Sequence, residues 1–266
     1  MDTSPPLEAH RIPGPDAAYY IPNFVSIDEE AYLLRKIQET PHTKWRQLAN
    51  RRLQTWGGDL TPKNTLIPQP FPAFVTQFPD LLTRLECTGA FADSPHKRPN
   101  HIILNEYLPG QGIMPHEDGP SYHPVVATLS LGSHAVFHYY QYKPDGPTVD
   151  DTDAAEQSPI PTAKGRAIDP TPALSVLLEQ RSLVITTSAL YTGGLHGIDG
   201  VQADAPESTG RAGVRIANAH MLAGDHEREI VLRGGTLERG ARYSLTCRDV
   251  GRVSGLGPRG VLGRSR

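Results

Sequence analysis

Cysteine is nearly missing from this chain: only Cys87 and Cys247 occur in 266 residues, far apart and in no C-x-x-C pair. That leaves no disulfide framework and no cysteine-built zinc site to expect. A dominant charge is missing too. Lys plus Arg number 26 against 29 for Asp plus Glu, a net −3 at pH 7, so nothing global draws the protein to a polyanion and any such contact needs a local basic patch. No apolar run approaches membrane-spanning length. The opening "MDTSPPLEAH" has no basic start followed by an apolar core, so it does not read as a secretory signal. The expectation is a soluble, intracellular protein of the cytoplasm or nucleus, with no membrane partner and monomeric.

Proline and glycine are abundant, at 25 each. They punctuate the chain too often for a helical bundle and suit short strands joined by turns. A hydrophobic content of 38% can build a real core. The clearest helix follows Ser26, where Ser26 and Glu29 have capping-box spacing and Ile27, Ala31, Leu33, Leu34 and Ile37 form an apolar stripe. A second helical stretch, "FPAFVTQFPDLLTRLE", should kink or split at Pro79. From His101 onward, "HIILNEYL", "VVATLSL", "HAVFHYYQY", "SVLLEQ", "SLVITT", "REIVLRGG" and "RYSLTCR" read as strands. A mainly β sandwich or barrel covered by the N-terminal helices is expected. It forms one domain over 19–250, with a flexible N-terminus at 1–18, flexible insertions near 143–172 and 199–213, and a disordered basic tail at 251–266.

The stretch "NEYLPGQGIMPHEDG" places His116 and Asp118 two residues apart, a spacing that in a strand puts both on one face, near a rim closed by Gly119 and Pro120. One imidazole and one carboxylate under-coordinate a divalent metal, so a third ligand must come from elsewhere. Neutral nitrogen plus carboxylate with open positions suits Fe(II). His101, His123, His134, His138, His196, His220 and His226 are candidates. His196 stands out because "LYTGGLHGI" follows an apolar strand, and its flanking glycines permit a close turn. His134 and His138 fit a packed or surface role as well.

A second pattern lies in "RYSLTCR". Arg242, Ser244, Thr246 and Arg248 alternate against Tyr243, Leu245 and Cys247. Arg242 and Arg248 are roughly 20 Å of strand apart, and their long side chains can reach toward one short diacid between them. Asn105 and Tyr107 again share a face, offering an amide and a phenol to a carboxylate or keto oxygen.

The order N-x-Y at 105–107, H-x-D at 116–118, His196 and R-x5-R at 242–248 resembles the AlkB family of Fe(II)/2-oxoglutarate-dependent dioxygenases. "LQTWGG", "YLPGQGIMPHEDGP" and "LSLGSH" resemble its eukaryotic branch called AlkB homologue six. The resemblance implies a double-stranded β-helix, or jelly roll, with N-terminal helices and loops forming a substrate lid. It implies His116, Asp118 and His196 as catalytic iron ligands, and Asn105, Tyr107, Arg242, Ser244 and Arg248 around 2-oxoglutarate. Arg242 would meet the distal carboxylate, and Ser244 stands where some relatives carry Asn. The implied reaction consumes O2 and 2-oxoglutarate to demethylate N-alkylated DNA or RNA bases, releasing succinate, CO2 and formaldehyde. The same chemistry on a protein side chain, or a non-catalytic interaction module, are the alternatives.

One local patch offers the contact that net charge does not. "KWRQLANRRLQTWGG" interleaves Lys44, Arg46, Arg51 and Arg52 with Trp45 and Trp56 and contains no acid. Basic groups can meet phosphates while a ring stacks on a base, and the resemblance implies a nucleotide-recognition role for this region. A solvated basic loop, with the tryptophans filling a core edge, explains the same residues.

Overall fold

The computed structural model describes residues 6–14, 18–143, 166–207, 209 and 213–255. Residues 1–5, most of the expected 143–172 insertion and the end of the basic tail lie outside the described residues.

Short β-branched and aromatic segments form two antiparallel sheets. The strands are β1 (Ala18–Ile21), β2 (Arg46–Leu48), β3 (Arg51–Trp56), β4 (His101–Tyr107), β5 (Ile113–His116) and β6 (Tyr122–Leu131). They continue with β7 (Ala135–Tyr140), β8 (Leu174–Leu178), β9 (Leu183–Thr187), β10 (Leu195–Ile198) and β11 (Arg242–Val250). The large sheet has the order β1-β9-β6-β11-β4-β3-β2 and the small one β8-β7-β10-β5. Most neighbours in the sheets, with the β2–β3 hairpin among the exceptions, are not consecutive in the chain, as crossing connections between two stacked sheets require. The architecture is a jelly roll.

Three helices of seven residues or more are described: α1 (Ile27–Gln38), α2 (Leu81–Cys87) and α3 (Asp225–Arg233). Alternation sorts the large sheet into two faces. Ile102, Leu104, Val125, Ala127, Leu129, Tyr243, Leu245 and Cys247 pack with Leu33 and Ile37 of α1 and with Leu81, Leu82 and Leu85 of α2. The opposite face looks toward the small sheet, and there the site lies.

The expected capping box is present: Ser26 Oγ accepts from Glu29 N–H, and a Glu29 carboxylate oxygen accepts from Ser26 N–H. The second helical stretch is split at Pro79, into Ala73–Thr76 and α2. Two expectations differ. The buried stripe of α1 does not begin at Ile27, which is 70% exposed, whereas Glu29 and Glu30 are buried. Charged partners decide the rotation of the helix. Arg84 grips Glu29, while Glu30 accepts from Gly132 N–H and from Arg181, both at 2.9 Å. "REIVLRGG" is not a strand but the body of α3. Asp225 and Glu227 occupy its first turn and Arg233 its last, and Gly234, at φ 81°, ends it. Adjacent Ile230 and Val231 mimic a strand, but in the helix Val231 packs inward, with Ile230 against the same core. Of residues 199–213, Ala203–Asp204 pairs with Leu237–Glu238 and Pro206–Glu207 with Val214–Arg215.

The buried acids give a direct test. Glu30→Ala strands a backbone N–H and Arg181 and is expected to cost about 1–3 kcal/mol, while Ile27→Ala should stay within about 0.5 kcal/mol of wild type. Urea unfolding curves compare the two, and equal losses would mean that α1 packs as its apolar stripe suggests.

Candidate active site

The register of β4 against β11 pairs Tyr107 with Arg242, Asn105 with Ser244, Ile103 with Thr246 and His101 with Arg248. Side chains two apart share a face, so Asn105, Tyr107, Arg242, Ser244, Thr246 and Arg248 project together. Leu53 of β3 lies opposite Asn105 and extends the row. Val126 and Thr128 of β6, and Thr186 of β9, complete this wall. The small sheet supplies the facing wall through Ile113, His116, Phe137, His196 and Ile198. Between them lies a cavity of ≈ 140 Å³.

At one side of the cavity His116 and His196 are directly opposed across β5 and β10, with ring centroids 4.4 Å apart. β5 ends at His116, so Asp118 does not share its strand as the i, i+2 spacing suggested. The irregular stretch 117–119 nevertheless brings the carboxylate to the imidazoles, and one ligand atom from each of His116, Asp118 and His196 lies within 4.8 Å of the others. Among the described residues no other three His, Cys, Asp or Glu side chains converge in this way. The chain reaches His196 through a short unexpected helix, Ser188–Thr192, and a turn at Gly193 and Gly194. A Cβ at Gly194 would stand 2.7 Å from the Leu190 carbonyl oxygen, so only glycine fits this close approach. Phe137 stacks on His196 with centroids 5.3 Å apart.

The protonation states suit a metal. His116 Nδ1 lies 2.8 Å from the Met114 carbonyl oxygen. A carbonyl only accepts, so Nδ1 carries the proton and the Nε2 lone pair is left free. Burial lowers the pKa of His116 and takes that of His196, next to His116, down to about 3. Burial by itself would raise Asp118, but the Arg248 guanidinium, which donates to Asp118 Oδ1, and the neighbouring His196 and His116 together outweigh it and hold the carboxyl below its ordinary value. Two neutral nitrogens and one carboxylate with positions left open are the donor set of a two-His-one-carboxylate Fe(II) site. Asp118 Oδ2 is buried with no hydrogen-bond partner, as a metal-facing oxygen should be.

The cosubstrate side shows the same incompleteness. Arg242 is 3% exposed and donates to Ser130 Oγ at 2.8 Å, yet its Nε has no partner, and neither do Nε and Nη1 of Arg248. Burial lowers Arg242 to about 10, still charged at neutral pH. Such N–H groups, beside the Asn105 amide and Tyr107 phenol, fit the carboxylates of 2-oxoglutarate. Burial raises the Tyr107 pKa, so its hydroxyl keeps its proton and can donate.

The basic segment 44–58 is a hairpin, and alternation divides its members. Arg51 lines the cavity, and its Nε donates to Asn105 Oδ1 at 3.1 Å. Arg52 faces away, bonded to Glu106 and lying over the Trp45 ring at 4.2 Å. Trp56, expected as a substrate contact, is 6% exposed and packs edge-on against Phe74 in the helix-side core, where it cannot stack on a base. Lys44 and Arg46 are exposed. His134 and His138 are buried, the first beside Asp204 and the second against Ser175 Oγ at 2.7 Å. Sequence reasoning missed the Arg248–Asp118 pair, whose members are 130 residues apart, and the Arg51–Asn105 contact. The register of β3 beside β4 reveals the second, and the stacking of the two sheets, with the path of the chain beyond β5, the first.

The 2OG-Fe(II) oxygenase superfamily model matches residues 17–248. The chain belongs to this superfamily. It is therefore an oxidoreductase, and membership implies Fe(II), 2-oxoglutarate and O2. This oxygenase is 37% identical over 243 residues to a Danio rerio protein named "Probable RNA/DNA demethylase ALKBH6", covering 90% of this chain and 88% of that one. It is 35% identical over 127 residues to "Uncharacterized protein L905" of Acanthamoeba polyphaga mimivirus, covering 47% of this chain and 57% of that one. Among solved structures, that of OsALKBH1 aligns with a TM-score of 0.48 at 15% identity, over 89% of this chain and 99% of the other. Among the described residues of the oxygenase, no helix is long and apolar enough to cross a membrane.

The buried imidazole predicts a pH effect. The unfolded chain protonates His196 near pH 6.5, whereas the folded protein resists down to about 3. Protons therefore favour unfolding in that window, and His196 lowers stability progressively as pH falls from 6.5. In urea titrations of the metal-free protein, His196→Asn should show a shallower loss between these limits. An unchanged slope would mean that the imidazole titrates alike in both states.

Proposed function

We propose that this oxygenase demethylates N-alkylated DNA or RNA bases. In this reading His116, Asp118 and His196 hold Fe(II), and Asn105, Tyr107, Arg242, Ser244 and Arg248 hold 2-oxoglutarate. One observation carries it: three ligand atoms converge within 4.8 Å beside buried guanidinium N–H groups that lack partners. The nucleic-acid substrate is supported by the name of the Danio rerio relative and by Lys44 and Arg46, two exposed cations on the hairpin that also carries Arg51.

When bound, Fe(II) and 2-oxoglutarate use O2 to hydroxylate the substrate's N-methyl carbon, so that 2-oxoglutarate leaves as succinate and CO2 and the methyl carbon as formaldehyde. The chain's own residues do the rest. His116, fixed by the Met114 carbonyl, presents Nε2. Arg248 keeps Asp118 ionised and aims it, leaving Oδ2 for the metal. Arg242, braced on Ser130, would anchor the distal carboxylate, and the Tyr107 hydroxyl would donate beside it. Leu53, Ile103, Ile113, Val126, Phe137 and Ile198 line the cavity with apolar surface and exclude water from the reacting atoms.

Succinate release, measured over methylated single-stranded oligonucleotides and methylated peptides, tests the reading. Oligonucleotide-dependent turnover is expected in wild type and none in His116→Ala, which should also lose the visible band that Fe(II) and 2-oxoglutarate give anaerobically. Turnover with peptides alone would overturn the substrate class. Replacing Lys44 and Arg46 by Ala should reduce the slope of log affinity against log salt by about one for each phosphate no longer neutralised, and an unchanged slope would remove both from the interface.

A further inference from the structure

We infer that Arg51 is a positioning residue for the cosubstrate, acting by fixing which end of the Asn105 amide faces the cavity. The inference rests on reading this cavity as the 2-oxoglutarate site. A guanidinium has donors and no acceptor, so the atom of Asn105 facing Arg51 Nε must be Oδ1, and their separation is 3.1 Å. The amide nitrogen is then turned away from Arg51. Asn105 lines the cavity between Leu53 on one neighbouring strand and Ser244 on the other. Its Nδ2 is thereby presented as a donor where an oxygen-rich dianion has to lie. A freely flipping amide would offer its oxygen part of the time and repel a carboxylate or keto oxygen.

The charges agree with this role. The cavity is lined by three guanidiniums, Arg51, Arg242 and Arg248, against the single carboxylate of Asp118. Arg248 gives one N–H to that carboxylate and Arg242 one to Ser130, leaving their other donors for the cosubstrate, while Arg51 reaches in from the edge hairpin and is half-buried. The basic segment thus divides its labour. Arg51 serves the cosubstrate, whereas the exposed Lys44 and Arg46 remain for the substrate. Nothing in the spacing of "KWRQLANRR" separates these roles, because the separation comes from strand alternation and the register of β3 against β4.

Calorimetric titration of 2-oxoglutarate into the Mn(II)-loaded protein tests the inference without turnover. Arg51→Met and Asn105→Ala are each expected to raise the dissociation constant about tenfold. The double variant should bind no worse than Asn105→Ala alone, because Arg51 acts through that amide. Arg51→Lys, which keeps a donor and the charge, should recover most of the affinity and serves as the second variant if Arg51→Met does not fold. Unchanged affinity in Arg51→Met, or in Asn105→Ala, would overturn the inference, as would additive losses in the double variant, which would put Arg51 on the cosubstrate itself. A wild-type protein that fails to bind 2-oxoglutarate would instead overturn the functional reading on which the inference rests.

Discussion

The pairing register of His101–Tyr107 against Arg242–Val250 is the constraint on which the site depends. Because side chains alternate at every residue, one register delivers Asn105, Tyr107, Arg242, Ser244 and Arg248 to the inner face of the sheet. A slip of one residue in His101–Tyr107 would bring Glu106 to the inner face in place of Asn105, and a slip in Arg242–Val250 would turn the arginines toward the helices. The register is locked from outside. Leu104, Tyr243, Leu245 and Cys247 alternate with the site residues and pack under α1 and α2. The apolar half of each strand therefore pins the polar half, and the core and the site are two faces of one sheet.

Held in this way, the inner face keeps polar groups that ordinary packing would not tolerate. Buried guanidinium nitrogens without partners and a carboxylate oxygen without a donor each cost about 1–3 kcal/mol in an isolated fold. The ion pair between Arg248 and Asp118 limits that cost and keeps the carboxylate charged and aimed. A metal ion and a dicarboxylate would satisfy the remaining atoms, so binding completes a network already arranged. Such preorganisation is the protein's part in the chemistry, since the groups need not reorient as the reaction proceeds.

Where the structure departs from the sequence reading, a charge or a neighbour decided the matter. Ile27 belongs to the apolar stripe of α1 but lies outside because Arg84 and Arg181 draw Glu29 and Glu30 inward. Ile230 and Val231 favour a strand, yet they wind into α3 between an acidic first turn and Gly234. Trp56 looked suited to stacking on a base. Its even-numbered place on β3, shared with Arg52 and Gln54, directs it away from the cavity.

The sequence alone pointed to the chemistry: spacing marks His116 with Asp118, Asn105 with Tyr107 and Arg242 with Arg248, and the family resemblance of their order, with His196, names the set. It also marked six of the eleven strands of the two main sheets, because β-branched runs between turn residues carry their signal within a few positions. Only the tertiary structure decided how these groups meet. Arg248 answers an aspartate 130 residues away, and Arg51 an asparagine 54 away. Such pairings are set by which strands lie side by side, by how the two sheets stack and by where the chain runs beyond a strand's end, and that follows from packing whole sheets against each other and against the helices. No short window of sequence holds that information.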